Sequence, residues 1–286
     1  MKALQAALRP AKSGQQLDQP RLLVAGATGV LGNEVLRRLL GSGRFAHTEV
    51  LATEAMSSGL AQVGIALTGP SAIEEWAVRP LPAHTGLIMF EPPRLYHERE
   101  RTLWTPAPEQ LPALARWFKR CGVQTLVLVM PHAPGRLPEA LKRGLANLDE
   151  QAVAALGFER VLLLRSARQA DAAAEKGLLE QTAAWLLSTL KYMIPATEQP
   201  VRPAKLAEFV DAALQLLPPG THVAAPELLW QAGQTPGSSR DSGQNAGQAS
   251  PMQRLVQAWL DGAHNHEQKQ AETSKFKQTD ALRPPS

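Results

Sequence analysis

The sequence predicts an α/β fold with a doubly wound parallel sheet, and three patterns lead to that prediction. An apolar run over residues 21–25 precedes a glycine-rich turn and a stretch of helical spacing from Glu34 onward. Later apolar runs are continuous rather than alternating, over 86–90, 125–130 and 161–164. Helical patterns separate these runs, over 110–120 and 137–156. Continuous apolar strands between amphipathic helices are typical of a parallel sheet covered on both faces.

The segment between the second predicted strand, residues 49–52, and Gly86 departs from this pattern. We expect a third strand and a crossover helix there, with residues 76–79 as the strand, but three prolines interrupt the segment, Pro70, Pro80 and Pro82. Only residues 80–86 then separate this strand from Leu87, whereas a parallel crossover takes about ten residues or more. Either the third crossover is shortened or the third strand lies elsewhere.

The domain organisation follows from where these patterns begin and end. Residues 1–20 are predicted to form a flexible N-terminal extension, and residues 21–232 a single Rossmann-like domain. From residue 233 the chain is rich in Gly, Gln and Ser, which predicts disorder over most of 233–286. Apolar residues at helical spacing predict a short amphipathic helix near 251–262 within that tail. This helix either docks on the domain or binds a protein partner.

Composition narrows the class of protein. The chain has 286 residues, 44% of them apolar, and no apolar run reaches the length of about 18 residues that spans a bilayer. The N-terminal segment lacks the apolar core of a secretory signal, so we expect a cytoplasmic protein without membrane partners. Cys121 is the single cysteine, which excludes an intrachain disulfide and a thiolate metal cluster, and no metal is predicted. The net charge is +4 and Lys and Arg form no long run, so nucleic acid is not an expected partner.

The turn between the first strand and the first helix predicts a phosphate site. Its glycines are Gly26, Gly29 and Gly32. Glycines let a pyrophosphate approach the backbone, and the free N–H groups and the dipole of the helix favour an anion. Thr28 and Val30 would contribute backbone N–H groups to a bound dinucleotide. The alternative is a structural turn that only packs the helix against the strand.

Glu54 stands 22 residues after Gly32, just past the second predicted strand. An acid at that place accepts a hydrogen bond from the ribose 2′-OH and favours NAD(H) over NADP(H). No arginine stands at this strand end to bind a 2′-phosphate. The alternative for Glu54 is an acid in the first turn of a helix that Thr53 caps.

The G-x-x-G-x-x-G spacing resembles the short-chain dehydrogenase/reductase superfamily, in particular its extended and atypical NmrA-like and epimerase-like branches. Residues 158–165 are similar to the strand after the catalytic helix in those branches, which commonly ends in Arg-Pro, although Ser166 replaces the proline here. Residues 194–217 are similar to the return segment before the last helix. The resemblance covers about residues 21–231 and implies an NAD(P)-binding Rossmann domain.

The catalytic part of that superfamily has no counterpart in this chain. The resemblance implies a Tyr with a Lys four residues later, and a Ser at the end of the fifth strand. Tyr96 is followed at the fourth position by Glu100, and Tyr192 by Ala196. No serine occurs between positions 71 and 166. The usual proton-transfer apparatus is therefore missing.

Two residues are candidates for a different proton donor, His132 and Lys142. His132 ends an apolar strand where doubly wound sheets place their sites, and a histidine titrates near neutral pH. The alternatives are a loop histidine that caps a backbone group and a solvated helix lysine. Arg94, after the fourth strand, is a candidate to bind an acidic ligand, while the mixed charges over 96–101 predict a solvated surface.

Three functions are compatible with these patterns. The first is a short-chain-dehydrogenase-like protein that binds NAD(H) or NADP(H) without standard dehydrogenase chemistry and acts in redox sensing or as a scaffold. The second is an atypical NAD(P)-dependent oxidoreductase with His132 or Lys142 as proton donor. The third is a structural Rossmann derivative with no cofactor.

Overall fold

A computed structural model describes residues 20–94, 97–132, 145, 147–167, 201–236 and 249–263. Within these ranges seven strands form one sheet in the order β3-β2-β1-β4-β5-β6-β7, and every neighbouring pair is parallel. The strands are β1 (Arg21–Ala25), β2 (His47–Ala52), β3 (Val63–Leu67), β4 (Thr85–Met89), β5 (Thr125–His132), β6 (Arg160–Ala167) and β7 (Gly220–Ala224). The predicted doubly wound α/β class is confirmed.

Helices cover the sheet. They are α1 (Gly29–Gly41), α2 (Glu98–Arg101), α3 (Leu111–Arg120), α4 (Leu148–Ala154), α5 (Pro203–Leu216), α6 (Pro226–Gln234) and α7 (251–263). One apolar core lies between the sheet and α1, α5, α6 and α7, and a second core includes the buried face of α3. The sheet is therefore covered on both faces, which explains why its central strands β1, β4, β5 and β6 contain continuous apolar runs.

The order in which strands are added to the sheet reverses after β1. Strands β2 and β3 lie on one side of β1, and strands β4 to β7 lie on the other. Strand β1 pairs with β2 on one side and with β4 on the other, and Ala25 lies in register with Ile88. In open α/β sheets a crevice forms outside the carboxyl ends of the strands at such a switch point. The glycine turn after β1 and the segment after β4 therefore meet at this crevice.

The third strand is not where the sequence pattern placed it. Val63–Leu67 forms β3, whereas residues 76–79 follow a 3₁₀ turn, Ile73–Glu75. The connection from β2 to β3, residues 53–62, contains no α-helix, and neither does the connection from β3 to β4, residues 68–84. Both connections therefore lack the helix of a usual crossover. Trp76 is buried and its ring packs edge-on against that of Trp117. Aromatic side chains thus cover apolar surface that a crossover helix would otherwise cover.

The predicted helix over 137–156 is also shorter in the structure. It begins at Leu148, because Asn147 has extended backbone (φ −142°, ψ 171°) and its side chain accepts a hydrogen bond from the amide of Glu150. An asparagine in this conformation caps a helix and separates it from the preceding chain. Residues 133–144, which include Lys142, lie outside the described residues.

The C-terminal helix α7 packs on the domain. Its buried residues Met252, Val256 and Leu260 belong to the same core as α1 and α5. The ring of Trp259 lies 5.9 Å from that of Phe209 on α5. The folded unit therefore continues beyond residue 232, and the apolar face considered for a protein partner is used within the chain. The predicted extension over residues 1–20, apart from Pro20, and the tail segments 237–248 and 264–286 lie outside the described residues.

Three further observations bear on function. No helix in the described ranges is long and apolar enough to cross a membrane. The same part of the chain contains no cluster of three or more His, Cys, Asp or Glu side chains suited to a metal ion. Burial raises the pKa of the Cys121 thiol, against smaller opposing effects from Arg79 and Arg120, and this cysteine lies in the core.

We expect Met252→Ala to lower the free energy of unfolding by about 2–5 kcal/mol, because truncation of a fully buried side chain removes apolar contacts and leaves a cavity. Urea denaturation followed by circular dichroism measures this change. Arg254→Ala, on the exposed side of the same helix, is the matched control and should stay within about 0.5 kcal/mol of the wild type. Equal midpoints for the two variants would show that α7 does not contribute to the core.

Candidate nucleotide-binding site

The glycine turn packs α1 tightly onto β1. Gly26 and Gly29 have φ values of +74° and +70°, in the left-handed region that other residues rarely adopt. A Cβ atom at Gly26 would overlap the carbonyl of Met89 in the neighbouring strand, and a Cβ at Gly32 would lie 2.8 Å from the carbonyl oxygen of Gly26. The glycines are therefore required by the packing of this turn as well as by any phosphate.

The first turn of α1 has no capping group of its own. Thr28 is the N-cap residue, with extended backbone (φ −106°, ψ 167°), but its side chain makes no capping hydrogen bond. Its hydroxyl instead donates to the carbonyl oxygen of Glu91 and lies 3.0 Å from the hydroxyl of Thr105. The first turn also contains no acidic residue. Its free N–H groups must find acceptors elsewhere in the chain or in a ligand.

Glu91 supplies one acceptor. Its Oε2 accepts a hydrogen bond of 2.6 Å from the amide of Leu31, and its side chain lies directly over Gly29, where a Cβ atom would overlap it. Burial raises the pKa of this carboxyl, and the negative charge of Glu100 adds to the rise. Hydrogen bonds from the amides of the first turn act in the opposite direction without cancelling the effect of burial.

Glu100 supplies the second acceptor. Its Oε2 accepts from the amide of Gly29 at 3.1 Å, while its Oε1 accepts from Nε of Arg94 and from Nδ2 of Asn33, both at 2.8 Å. Burial alone would raise the pKa of Glu100, but the hydrogen bonds from Arg94 and Gly29 outweigh it and the pKa is lowered. Residues 96–101 were expected to be a solvated surface. Glu100 contradicts this expectation, since it is only 6% exposed.

Backbone hydrogen bonds cross the crevice between the ends of β1 and β2. The carbonyl of Trp104 accepts a hydrogen bond from the amide of Gly26, and the amide of Trp104 donates to the carbonyl of Leu51. The amide of Thr53 donates to the carbonyl of Thr102. This short antiparallel pairing follows the last β1–β2 pair, so it occupies the space between the carboxyl ends of these two strands. We call residues 91–94 and 97–106 the capping segment.

The C-terminal part of the capping segment is anchored in the apolar core. The ring centroid of Trp104 lies 5.1 Å from that of Trp76, which in turn lies 5.3 Å from that of Trp117, both in edge-to-face geometry. Pro106, two residues after Trp104, is also buried. Aromatic pairs of this kind contribute about 0.5–1.5 kcal/mol each beyond the area they bury. Residues 102–106 are therefore fixed by aromatic packing as well as by backbone hydrogen bonds.

The structure brings together four of the predicted phosphate-site residues, Gly26, Thr28, Gly29 and Gly32, at the start of α1. Val30 also lies in this first turn and is 46% exposed. Glu54 is exposed, two residues after the end of β2. The alternative of a helix capped by Thr53 is wrong, because no helix follows β2 and the Thr53 hydroxyl donates to the carbonyl of Thr102.

The two candidate proton donors stay predictions. His132 is the last residue of β5, and its backbone lies in register with Ala167 of β6. It therefore stands at the carboxyl end of the sheet, as expected, but its side chain is outside the described part of the structure. Lys142 lies outside it entirely.

Glu91 and Glu100 are the site residues that sequence reasoning missed. One signal was present in the sequence, because the first turn of α1 contains no acid while an acid follows the neighbouring strand β4. For Glu100 no comparable signal existed. It stands among alternating charges, Glu98 to Arg101, and only the tertiary contact distinguishes it from its neighbours.

No protein-family model matches this chain, and no curated protein sequence is similar to it. Several solved structures are similar to it over part of their length. The enzyme WbmH of Bordetella bronchiseptica, in complex with NAD+, is 13% identical with a TM-score of 0.44, over 74% of this chain and 79% of the other. The triphenylmethane reductase of Citrobacter sp., complexed with NADP(H), is 16% identical with a TM-score of 0.43, over 71% and 69% of the two chains. The UDP-N-acetylglucosamine 4-epimerase of Bacillus cereus is 11% identical with a TM-score of 0.40, over 72% and 76%.

Glu91 and Glu100 should affect the pH dependence of the free energy of unfolding in opposite directions. The lowered pKa of Glu100 means that its contribution is present above the ordinary value of 4.5 and is lost as the pH falls through the lowered value. The raised pKa of Glu91 means that its contribution is full below 4.5 and is lost as the pH rises through the raised value.

We therefore expect the stability difference between wild type and Glu100→Gln to shrink on going from about pH 7 to about pH 3, and that between wild type and Glu91→Gln to grow. Urea denaturation at a series of pH values measures both. Glu98→Gln, which alters an exposed acid of the same segment, is the control. A difference for Glu100→Gln that does not vary with pH would show that its charge is not stabilised in the fold.

Proposed function

We propose that this protein is a Rossmann-type protein that binds a nicotinamide dinucleotide and lacks standard dehydrogenase chemistry. One observation supports the binding above all others. The first turn of α1, at the switch point of the sheet, presents N–H groups that already donate hydrogen bonds to carboxylate oxygens, those of Glu91 and Glu100. A site that binds carboxylates in this way has the charge and the hydrogen-bond donors that a pyrophosphate needs.

The residues of the turn would each have a separate part in binding. The amides of Gly29, Val30 and Leu31 would hold the pyrophosphate, and Gly26 allows the turn to pack against the carbonyl of Met89. Glu54, after β2, would accept a hydrogen bond from the ribose 2′-OH and so favour NAD(H) over NADP(H). The bound nicotinamide would supply a hydride donor or acceptor. Since the chain lacks the Ser, Tyr and Lys of the superfamily, we assign it a redox-sensing or scaffold role rather than standard turnover.

The capping segment favours a second candidate function, a structural Rossmann derivative without a cofactor. The backbone of Trp104 bonds to both Gly26 and Leu51, and its ring packs on Trp76. These contacts place protein atoms where the adenosine half of a dinucleotide lies in Rossmann folds. The two candidates differ in one respect, whether the capping segment gives way to a ligand.

Thermal denaturation distinguishes the two candidates. At about a hundred times its dissociation constant, a dinucleotide should stabilise the fold by about 2.7 kcal/mol, which raises Tm by on the order of five degrees for a domain of this size. NAD, NADH, NADP and NADPH are compared at equal concentration, with adenosine as the uncharged control. No shift with any of the four, in wild type and in Glu91→Ala/Glu100→Ala alike, would favour the cofactor-free scaffold.

The atypical oxidoreductase is tested separately. If His132 donates a proton, the wild type should oxidise NADH in the presence of a suitable carbonyl compound, and His132→Ala should lower kcat by about a hundredfold or more, because general acids contribute about that much. Loss of NADH absorbance measures the rate, and the thermal shift verifies that the cofactor still binds. Lys142→Ala is assayed in parallel as the other predicted donor. Equal rates for wild type and both variants would exclude these roles.

A further inference from the structure

We propose that the capping segment is an autoinhibitory latch, in which the carboxylates of Glu91 and Glu100 occupy the N–H groups of α1 and compete with an anionic dinucleotide for them. This inference rests on the proposed function, since it concerns access to the same site. A dinucleotide would then bind only in the fraction of molecules in which these side chains have left, and its apparent affinity falls by that fraction.

The latch imitates the ligand in charge and in position. The first turn of α1 contains no acid of its own. Glu91 and Glu100 provide carboxylate oxygens to it, although they lie 60 and 71 residues away in sequence from the amides that they contact. They bond to Leu31 and Gly29, two amides that a pyrophosphate would use. A phosphate and these carboxylates cannot occupy the same N–H groups together, so binding of one excludes the other.

The two parts of the capping segment are held by different contacts. Residues 102–106 are fixed by backbone hydrogen bonds and by the ring of Trp104 against the core. Residues 97–101 form only a four-residue helix, in which Glu98 and Arg99 are exposed. The polar contacts of Glu100 hold this part in place. Loss of those contacts frees the phosphate end of the crevice, and the backbone of Trp104 must also leave Gly26 and Leu51 before the adenosine half can enter.

Arg94 makes the exchange electrostatically feasible. It forms an ion pair with Glu100, and its side chain is 41% exposed while that of Glu100 is 7% exposed. When Glu100 leaves the site, Arg94 loses its partner at the edge of the crevice and is available to an incoming phosphate. One anion thus replaces another as the partner of this cation.

The test compares the affinity of NADH for four forms of the full chain by isothermal titration calorimetry. Glu91→Ala/Glu100→Ala removes both competing carboxylates, and we expect it to bind NADH at least about tenfold more tightly than wild type, because each charged hydrogen bond that resists displacement is lost. Asn33→Ala removes one hydrogen bond to Glu100 without removing a carboxylate or the arginine proposed to meet the phosphate, and it should give a smaller gain. Glu98→Ala, an exposed acid on the same segment, should bind like wild type.

The outcomes separate the latch from the proposed function. Tight and equal binding by wild type and the double variant would overturn the latch and leave dinucleotide binding intact. Absence of binding in every form would overturn both. Should the double variant fail to fold, as circular dichroism would reveal, the gain in affinity of Asn33→Ala over Glu98→Ala decides the question.

Hydrogen exchange gives a second readout that does not depend on a variant. When saturating NADH is added to the wild type, the amides in the first turn of α1 should stay protected, while peptides covering residues 97–101 should lose protection as Glu100 is displaced. Protection of both regions that is unchanged by a bound dinucleotide would show that the ligand lies elsewhere, and the latch would be wrong.

Discussion

The free N–H groups at the start of α1 determine how this crevice is arranged. Because Thr28 turns its hydroxyl toward the carbonyl of Glu91, it does not cap the helix, and the first turn contains no acid. Buried N–H groups without acceptors are costly, so acceptors must come from another part of the chain or from a ligand. Glu91 and Glu100 meet this requirement. Their position after β4 then fixes the path of the capping segment across the switch point.

The same contacts that satisfy the helix also close the crevice. A typical Rossmann fold leaves the amides of its first helix to the ligand, and the protein gains that part of its stability on binding. Here the chain itself supplies the anions, so the ligand-free fold does not depend on a cofactor to satisfy α1. In the neighbouring part of the crevice, the backbone of Trp104 forms hydrogen bonds with the amide of Gly26 and the carbonyl of Leu51, so these groups also have partners without a ligand.

The sequence predicted those elements whose determinants are local. The apolar runs of β1, β4, β5 and β6 and the spacing of α3 are properties of adjacent residues, and the structure contains each of them. The glycine turn was recognised for the same reason. The third strand was assigned wrongly because Trp76 and Val78 looked like strand residues, whereas Trp76 is buried as part of an aromatic cluster formed with Trp104 and Trp117. Nothing in the local pattern distinguishes these two uses of a tryptophan.

The acidic residues at the site likewise could not be told apart from the local sequence. Glu98 and Glu100 stand two positions apart in a run of alternating charges, yet one is exposed and the other is buried on the amide of Gly29. Their difference arises from a contact between residues 71 positions apart, which no helical or strand periodicity encodes.

The two acids that contact α1 are also unequal in a way that only the structure reveals. Glu100 is compensated by Arg94 and Asn33 as well as by the helix, so its charge is stabilised and its pKa is lowered. Glu91 has no cationic partner that outweighs its burial, and the charge of Glu100 raises its pKa further. Two like charges share one helix terminus, and only one of them is neutralised by a cation. A single pyrophosphate that contacted Arg94 would relieve this repulsion, because it would place its charge near the cation and release both carboxylates to water.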